Sequence, residues 1–278
     1  MSSDIANFWI HTTVKIINEN NKTGTGFLIS KPDLSTPGKG RVFLVTNKHV
    51  IAKTLKERTE VCKINALFNF IDNNHSSIYT ESIEISLKNG SDWREHEDPD
   101  TDVLAIDITL ICIKNQHRLF TKQIPYDLIG DSEKLLENKI SIAEEIFVIG
   151  YPLGLTHKNT SIPLVRKGIS STIIGEQLED KTKEDNKLRT RTLKAFLIDG
   201  AIIPGSSGSP VVLQPIGFRM GANNQMQLRM GNNMLLGIVA KSRYIPMNSE
   251  TEKYERYSGL GLAFDGNTIK EVIDLFGQ

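Results

Sequence analysis

The residues best suited to covalent chemistry lie in the run Pro204-Gly205-Ser206-Ser207-Gly208-Ser209-Pro210, which leads directly into apolar Val211-Val212-Leu213. A serine hydroxyl attacks a carbonyl when a base removes its proton, an acid orients that base, and backbone donors stabilise the resulting oxyanion. Glycines on both sides of Ser207 allow a sharp turn that brings the amides of Gly205 and Ser207 toward one point. Taken alone, such a run is equally an ordinary turn between strands. A base candidate, His49, stands where apolar Leu44-Val45-Thr46 breaks into Asn47-Lys48-His49. A lone histidine is more often structural than catalytic. The acidic loop Asp98-Pro99-Asp100-Thr101-Asp102 enters apolar Val103-Leu104-Ala105-Ile106, which leaves Asp102, the last acid, positioned for burial. The plain reading of that loop is a solvated charged segment.

The elements that must hold these residues are strands. Alternation and β-branched enrichment predict strands over 8–17, 24–30, 41–46, 61–70, 78–87, 103–113, 145–150, 193–198, 210–214, 234–241 and 258–264. Helices are predicted over 132–140 and over 267–276, where Ile269, Val272, Ile273 and Phe276 recur at helical spacing behind an Asn267 cap. The second reads as a C-terminal helix docked on a barrel. Many strands with two short helices indicate an all-β sandwich or barrel rather than alternating βαβ units. The charged stretch 176–192 reads as an exposed loop or hairpin, a solvated insertion. Residues 216–233 read as a projecting hairpin whose Met220, Met226 and Met230 pack on their own barrel.

Composition narrows the function. The 278 residues carry 33 basic and 33 acidic side chains, so no overall field favours nucleic acid or an anionic membrane surface. The first thirty residues lack a signal-peptide pattern, and no apolar run is long enough to span a bilayer. The two cysteines, Cys62 and Cys112, sit in alternating apolar segments as small buried thiols, which fits a reducing, cytoplasmic setting. His11, His75, His96, His117 and His157 have no metal-ligand spacing, and neither metal nor other cofactor is expected.

In the chain order His, Asp, Ser, these segments resemble the trypsin-like serine endopeptidases, specifically the bacterial HtrA/Deg branch. The resemblance runs from Gly24-Thr25-Gly26-Phe27 through the histidine, aspartate and serine segments, and includes Ile149-Gly150-Tyr151-Pro152-Leu153-Gly154 and Gly259-Leu260-Gly261-Leu262-Ala263-Phe264. It implies two six-stranded antiparallel β-barrels with a C-terminal helix, forming a single peptidase domain: an N-terminal barrel over about 1–125 and a C-terminal barrel and helix over 126–278. It makes Ser207 the nucleophile, His49 the base and then acid, Asp102 the orienting carboxylate, and Gly205 and Ser207 the oxyanion donors. The strand carrying Leu236, Val239, Ala240 and Lys241 is implied to pair with an extended protein or peptide substrate. Ala201, six residues before Ser207, is placed near the base of the primary specificity pocket, which implies small or medium apolar side chains. Lys241 alternatively favours an acidic residue.

The chain departs from the branch pattern at Ser209, where glycine is usual, and at Leu104, where alanine follows the Asp-Val pair. The latter keeps Asp100 as a reserve candidate, with Asp107 behind it. Trypsin-type zymogens pair a newly cut N-terminus with an aspartate directly before the nucleophile; here that residue is Ser206. The loops around 151–170 and 200–206 are instead expected to order the oxyanion hole, spontaneously or on binding substrate or an activating protein partner. The rival readings are a catalytically silent, protease-like binding module and a metal or redox protein.

Overall fold

The structure, a computed structural model, describes residues 8–33, 40–52, 63–87, 92–184, 187–214, 216–220, 226–230, 234–248 and 253–277. The side chains of 182–188, 215–233 and 245–257 lie outside that description, as does Cys62.

Among the described residues, eight strands build the first half: β1 (Thr13–Ile17), β2 (Thr23–Pro32), β3 (Gly40–Thr46), β4 (Lys63–Ile71), β5 (Ile78–Ser86), β6 (Trp93–Glu95), β7 (Leu104–Asp107) and β8 (Ile124–Pro125). They form one sheet in the order β5-β4-β1-β2-β3-β7-β6, with β8 parallel to β2 at the side. In β4 the period of two is legible, since Ile64, Ala66 and Phe68 are buried and Lys63 is exposed. With Val14, Leu28 and Leu44 they form a core of their own. Two six-stranded barrels were expected, yet no ladder joins β5 to β6 among the described residues, so this half is an eight-stranded sheet there. β6, three residues long, offers few groups for a second ladder.

The second half contains β9 (Glu145–Gly150), β10 (Leu164–Ser170), β11 (Leu178–Glu184), β12 (Lys187–Leu193), β13 (Ala195–Asp199), β14 (Pro210–Leu213), β15 (Ile216–Met220), β16 (Met226–Met230), β17 (Leu235–Asn248) and β18 (Lys253–Asp265). Six of them close a barrel in the order β10-β13-β18-β17-β14-β9. Closure removes the exposed sheet edges that would otherwise invite association. The remaining four make two hairpins, β11-β12 and β15-β16, the second falling within the stretch read from the sequence as a hairpin. The side chains of its methionines lie outside the described residues.

Among the described residues, α1 (Lys48–Ile51), α2 (Thr109–Asn115), α3 (Ser132–Glu137) and α4 (Gly266–Asp274) punctuate the strands. The strand expected over 103–113 stops at Asp107, because the Asp107 carboxylate accepts from the Thr109 amide at 2.9 Å and its hydroxyl at 2.5 Å. Such a side-chain turn competes with the ladder and starts α2. α4 is capped by Asp265, not Asn267, with the Asp265 side chain accepting from the Thr268 amide. Its Ile269, Val272 and Ile273 enter a core shared by both halves, against Phe27 and Phe43 from the first and Leu235 and Phe264 from the second. Burying such side chains contributes roughly 1.5–3 kcal/mol each, so the helix fastens the two halves together.

Asp265 is 2% exposed, and burial pushes its carboxyl up to about 6 despite bonds from Asn267 and Thr268. Between its ordinary carboxylate range and that value, the folded chain holds a proton that the unfolded chain has lost. Stability from this group is therefore complete in acid and declines as pH rises toward 6. Asp265→Asn, which keeps a capping oxygen, is expected to raise thermal stability at pH 8 by up to about 3 kcal/mol. That gain should vanish at pH 4, as a pair of calorimetric melts would reveal.

Candidate active site

His49 sits in α1, one turn past the end of β3, and Asp102 lies two residues before the start of β7. Antiparallel pairing of β3 with β7, with Thr46 opposite Leu104, brings these ends together. The His49 ring Nδ1 lies 2.5 Å from Asp102 Oδ2, and the His49 amide donates to Asp102 Oδ1 at 3.2 Å. An ionised carboxylate only accepts, so Nδ1 carries a proton, and in the neutral ring the free lone pair is then on Nε2. Burial opposes ionisation of Asp102, but the bonds from His49 and the charge of Lys48 outweigh it and hold the carboxyl below its usual range.

Residues that sequence reasoning left without a role hold this loop. Asn47 Nδ2 donates to the Asp102 carbonyl at 2.6 Å, and buried Lys48 donates to the carbonyls of His96 and Asp98 at 3.0 and 3.1 Å. Their signal was present: two polar residues placed where an apolar strand ends. The other acids are engaged elsewhere. Asp100 pairs with Arg191 at 2.9 Å and Arg189 at 3.1 Å, while Asp107 pairs with Arg41. The register question raised by Leu104 is answered by packing, because Leu104 is 1% exposed in the first core and Asp102 faces His49.

Hairpin β11-β12 lies against this loop. Asp180, 5% exposed, pairs with Arg243 of β17 at 2.7 Å, and Arg191 reaches Asp100. The stretch expected to be a solvated insertion is thus tied by ion pairs to both sides of the site. A cavity of about 220 Å³ beside the pair is lined by His49, Asp102, Asp180, Arg191, Ala240 and Lys241, among others.

The loop carrying Ser207 is held at each carbonyl from 201 to 207. Arg166 donates to Ala201 O, Ser242 Oγ to Ile202 O at 2.6 Å, Ser206 N to Ile203 O at 3.0 Å and Leu153 N to Pro204 O at 2.7 Å. Thr25 Oγ1 donates to Gly205 O at 3.0 Å, Ser209 N to Ser206 O at 3.0 Å and Thr25 N to Ser207 O at 2.9 Å. In a trans peptide the N–H points opposite to the preceding carbonyl. The amides of Gly205 and Ser207 are therefore turned away from Leu153 and Ser209, and neither has an acceptor among the described residues. Gly205 has φ +89°, and a side chain there would meet Tyr151 O at 2.5 Å, so the turn requires glycine.

The Ser207 hydroxyl donates to Ala240 O at 2.9 Å and makes no bond to the His49 ring among the described residues. Of the residues expected to line the substrate, Leu236, Val239 and Ala240 all have buried side chains. Val239 also exchanges bonds with Gly208 and Ser209, and β18 occupies its other edge. Among the described residues, the β14-side edge of β17 is unpaired by β14 only from Ala240 onward.

The model of the trypsin-like peptidase domain family matches residues 24–215. An HtrA-like serine protease of Staphylococcus aureus is 42% identical over 84 residues, which cover 30% of this chain and 10% of that protein. One from Staphylococcus epidermidis is 40% identical over 84 residues, covering 30% and 12%. The chain thus spans about a tenth of the length of the curated relatives it matches. Among solved structures, the inactive form of the Rv3671c protease aligns with 99% of this chain and 93% of its own at a TM-score of 0.49 and 16% identity. The active form of that Mycobacterium tuberculosis protease aligns with 98% and 84%, at a TM-score of 0.49 and 15% identity. The chain belongs to the trypsin-like peptidase domain family.

The departure at Ser209 has a packing counterpart. Ser209 is fully buried, and a methyl group on Gly150 would lie 1.9 Å from Ser209 Oγ and 2.9 Å from Thr25 Oγ1. Gly150→Ala should therefore cost about 1–3 kcal/mol in a denaturant melt. Adding Ser209→Gly to that variant should recover most of the loss, whereas additive losses would contradict the packing account.

Proposed function

We propose that the chain is a serine endopeptidase that cleaves proteins or peptides through an acyl-enzyme intermediate. The observation that carries this reading is the His49–Asp102 pair, with Nδ1 held at 2.5 Å and Nε2 left as a base, in a chain whose serine loop has two unused amides. Rotation of the Ser207 hydroxyl from Ala240 O toward Nε2 starts the reaction. His49 takes the hydroxyl proton as Oγ bonds to the scissile carbonyl carbon, and the amides of Gly205 and Ser207 receive the oxyanion. His49 then returns the proton to the leaving amine, and water attack on the acyl-enzyme releases the second product. Asp102, already favoured as the anion, stabilises the imidazolium throughout. The two halves act as one peptidase domain, since the pair comes from the first and the nucleophile from the second.

Substrate lies along Ala240 and Lys241, and Ala201 brings no carboxylate to the specificity pocket. Small or medium apolar residues are the expected preference, with an acidic residue as the alternative if Lys241 dominates.

The test is labelling by a fluorophosphonate together with cleavage of a peptide library. Ser207→Ala should abolish both, and Asp102→Asn should lower kcat by about 10⁴-fold because the wrong histidine tautomer is favoured. Equal labelling of wild type and Ser207→Ala would leave the silent binding-module reading in its place, and strong cleavage after Arg would overturn the aliphatic preference.

A further inference from the structure

Arg166, on β10, donates through one guanidinium nitrogen to Ala201 O and through another to Ser206 Oγ at 2.7 Å. These acceptors bracket the loop whose last turn carries the two unused amides. Ala201 opens the loop with φ +51°, a left-handed conformation that a residue with a Cβ resists. Ser206, the residue directly before Ser207, is fully buried. A planar fork on a strand is suited to holding two acceptors at a fixed separation, and its bonds are charge-assisted.

The strand itself is placed to do this. Arg166 is opposite Val148 in the β9-β10 ladder, which fixes its backbone. Gly168, two residues on and on the same face, leaves no room for a side chain, because a Cβ there would lie 2.2 Å from Asp199 O. This face of β10 therefore abuts the chain just before Ala201.

We propose that Arg166 is a positioning residue that locks the 201–206 loop with the Gly205 and Ser207 amides turned toward the cleft, supplying from inside the fold the cation that a cut N-terminus would otherwise bring. The proposal rests on the peptidase reading for its kinetic consequence, but not for its structural one. If the fork were released, the left-handed turn at Ala201 and the Ser206 side chain would lose their shared anchor. The oxyanion donors would then need to be ordered during each catalytic cycle.

The experiment compares wild type, Arg166→Gln, Arg166→Lys and Ser206→Ala by peptide hydrolysis, peptide-boronate affinity and amide hydrogen exchange over 201–207. Arg166→Gln should lower kcat about 10- to 100-fold with KM changed less than about twofold, and weaken the boronate by a similar factor. Arg166→Lys, which offers a point charge in place of a fork, should fall between the two. Ser206→Ala should lower kcat less, and adding it to Arg166→Gln should cost nothing further. Exchange over 201–207 should quicken in Arg166→Gln. Unchanged kcat, an effect confined to KM, or strictly additive losses would overturn the proposal. Should Arg166→Gln fail to fold, Ser206→Ala decides alone, with unchanged kcat counting against it. If wild type proves no more reactive than Ser207→Ala, the peptidase reading fails, while hydrogen exchange still supports or refutes the lock.

Discussion

Thr25 connects the two halves at the point where the chemistry needs them to meet. Its amide donates to Ser207 O at 2.9 Å, its hydroxyl donates to Gly205 O at 3.0 Å and accepts from the Tyr151 amide at 3.1 Å, and its carbonyl accepts from Thr46 Oγ1 at 2.7 Å. One fully buried residue on β2 thereby touches the loop carrying Ser207, the end of β9 and the end of the strand that leads to His49. Buried polar groups that are all satisfied in one arrangement specify that arrangement, since any other leaves several unpaired. Gly208 makes the approach feasible, with φ +84° and no space for a Cβ, which would fall 1.8 Å from Thr25 O.

Around this joint the acids are separated by partner. Asp102 is given to His49, Asp100 to two arginines of the β11-β12 hairpin, Asp107 to Arg41 and the start of α2, and Asp180 to Arg243. Exposed pairs such as Arg189–Asp100 add little to stability individually. Their effect is on arrangement: the cations occupy the competing carboxylates and leave one facing the imidazole. The hairpin therefore belongs to the surroundings of the site, although its composition resembles a solvated extension. Among the described residues no helix is long and apolar enough to cross a membrane, and no His, Cys, Asp and Glu cluster of three forms a candidate metal site. Cys112 is a buried thiol, with burial pushing its pKa up to about 12, so it is held in the unreactive protonated form.

The local order of residues by itself determined the three segments and most of the strands. Alternation in β4, the apolar run of β9 and the helical spacing of α4 each follow from side chains within one element, so they can be read without knowing the neighbours. Glycine at 205 was likewise legible, because a turn with positive φ is a local demand. What the tertiary structure alone decided is which acid meets His49, where α4 is capped, and which part of β17 has an open edge. Each depends on groups distant in sequence competing for the same partner: Arg189 and Arg191 for Asp100, Asp265 against Asn267 for the Thr268 amide, β14 and β18 for the edges around Val239. Periodicity carries no record of such competition, because its outcome is set by which pairs can be satisfied at once in three dimensions.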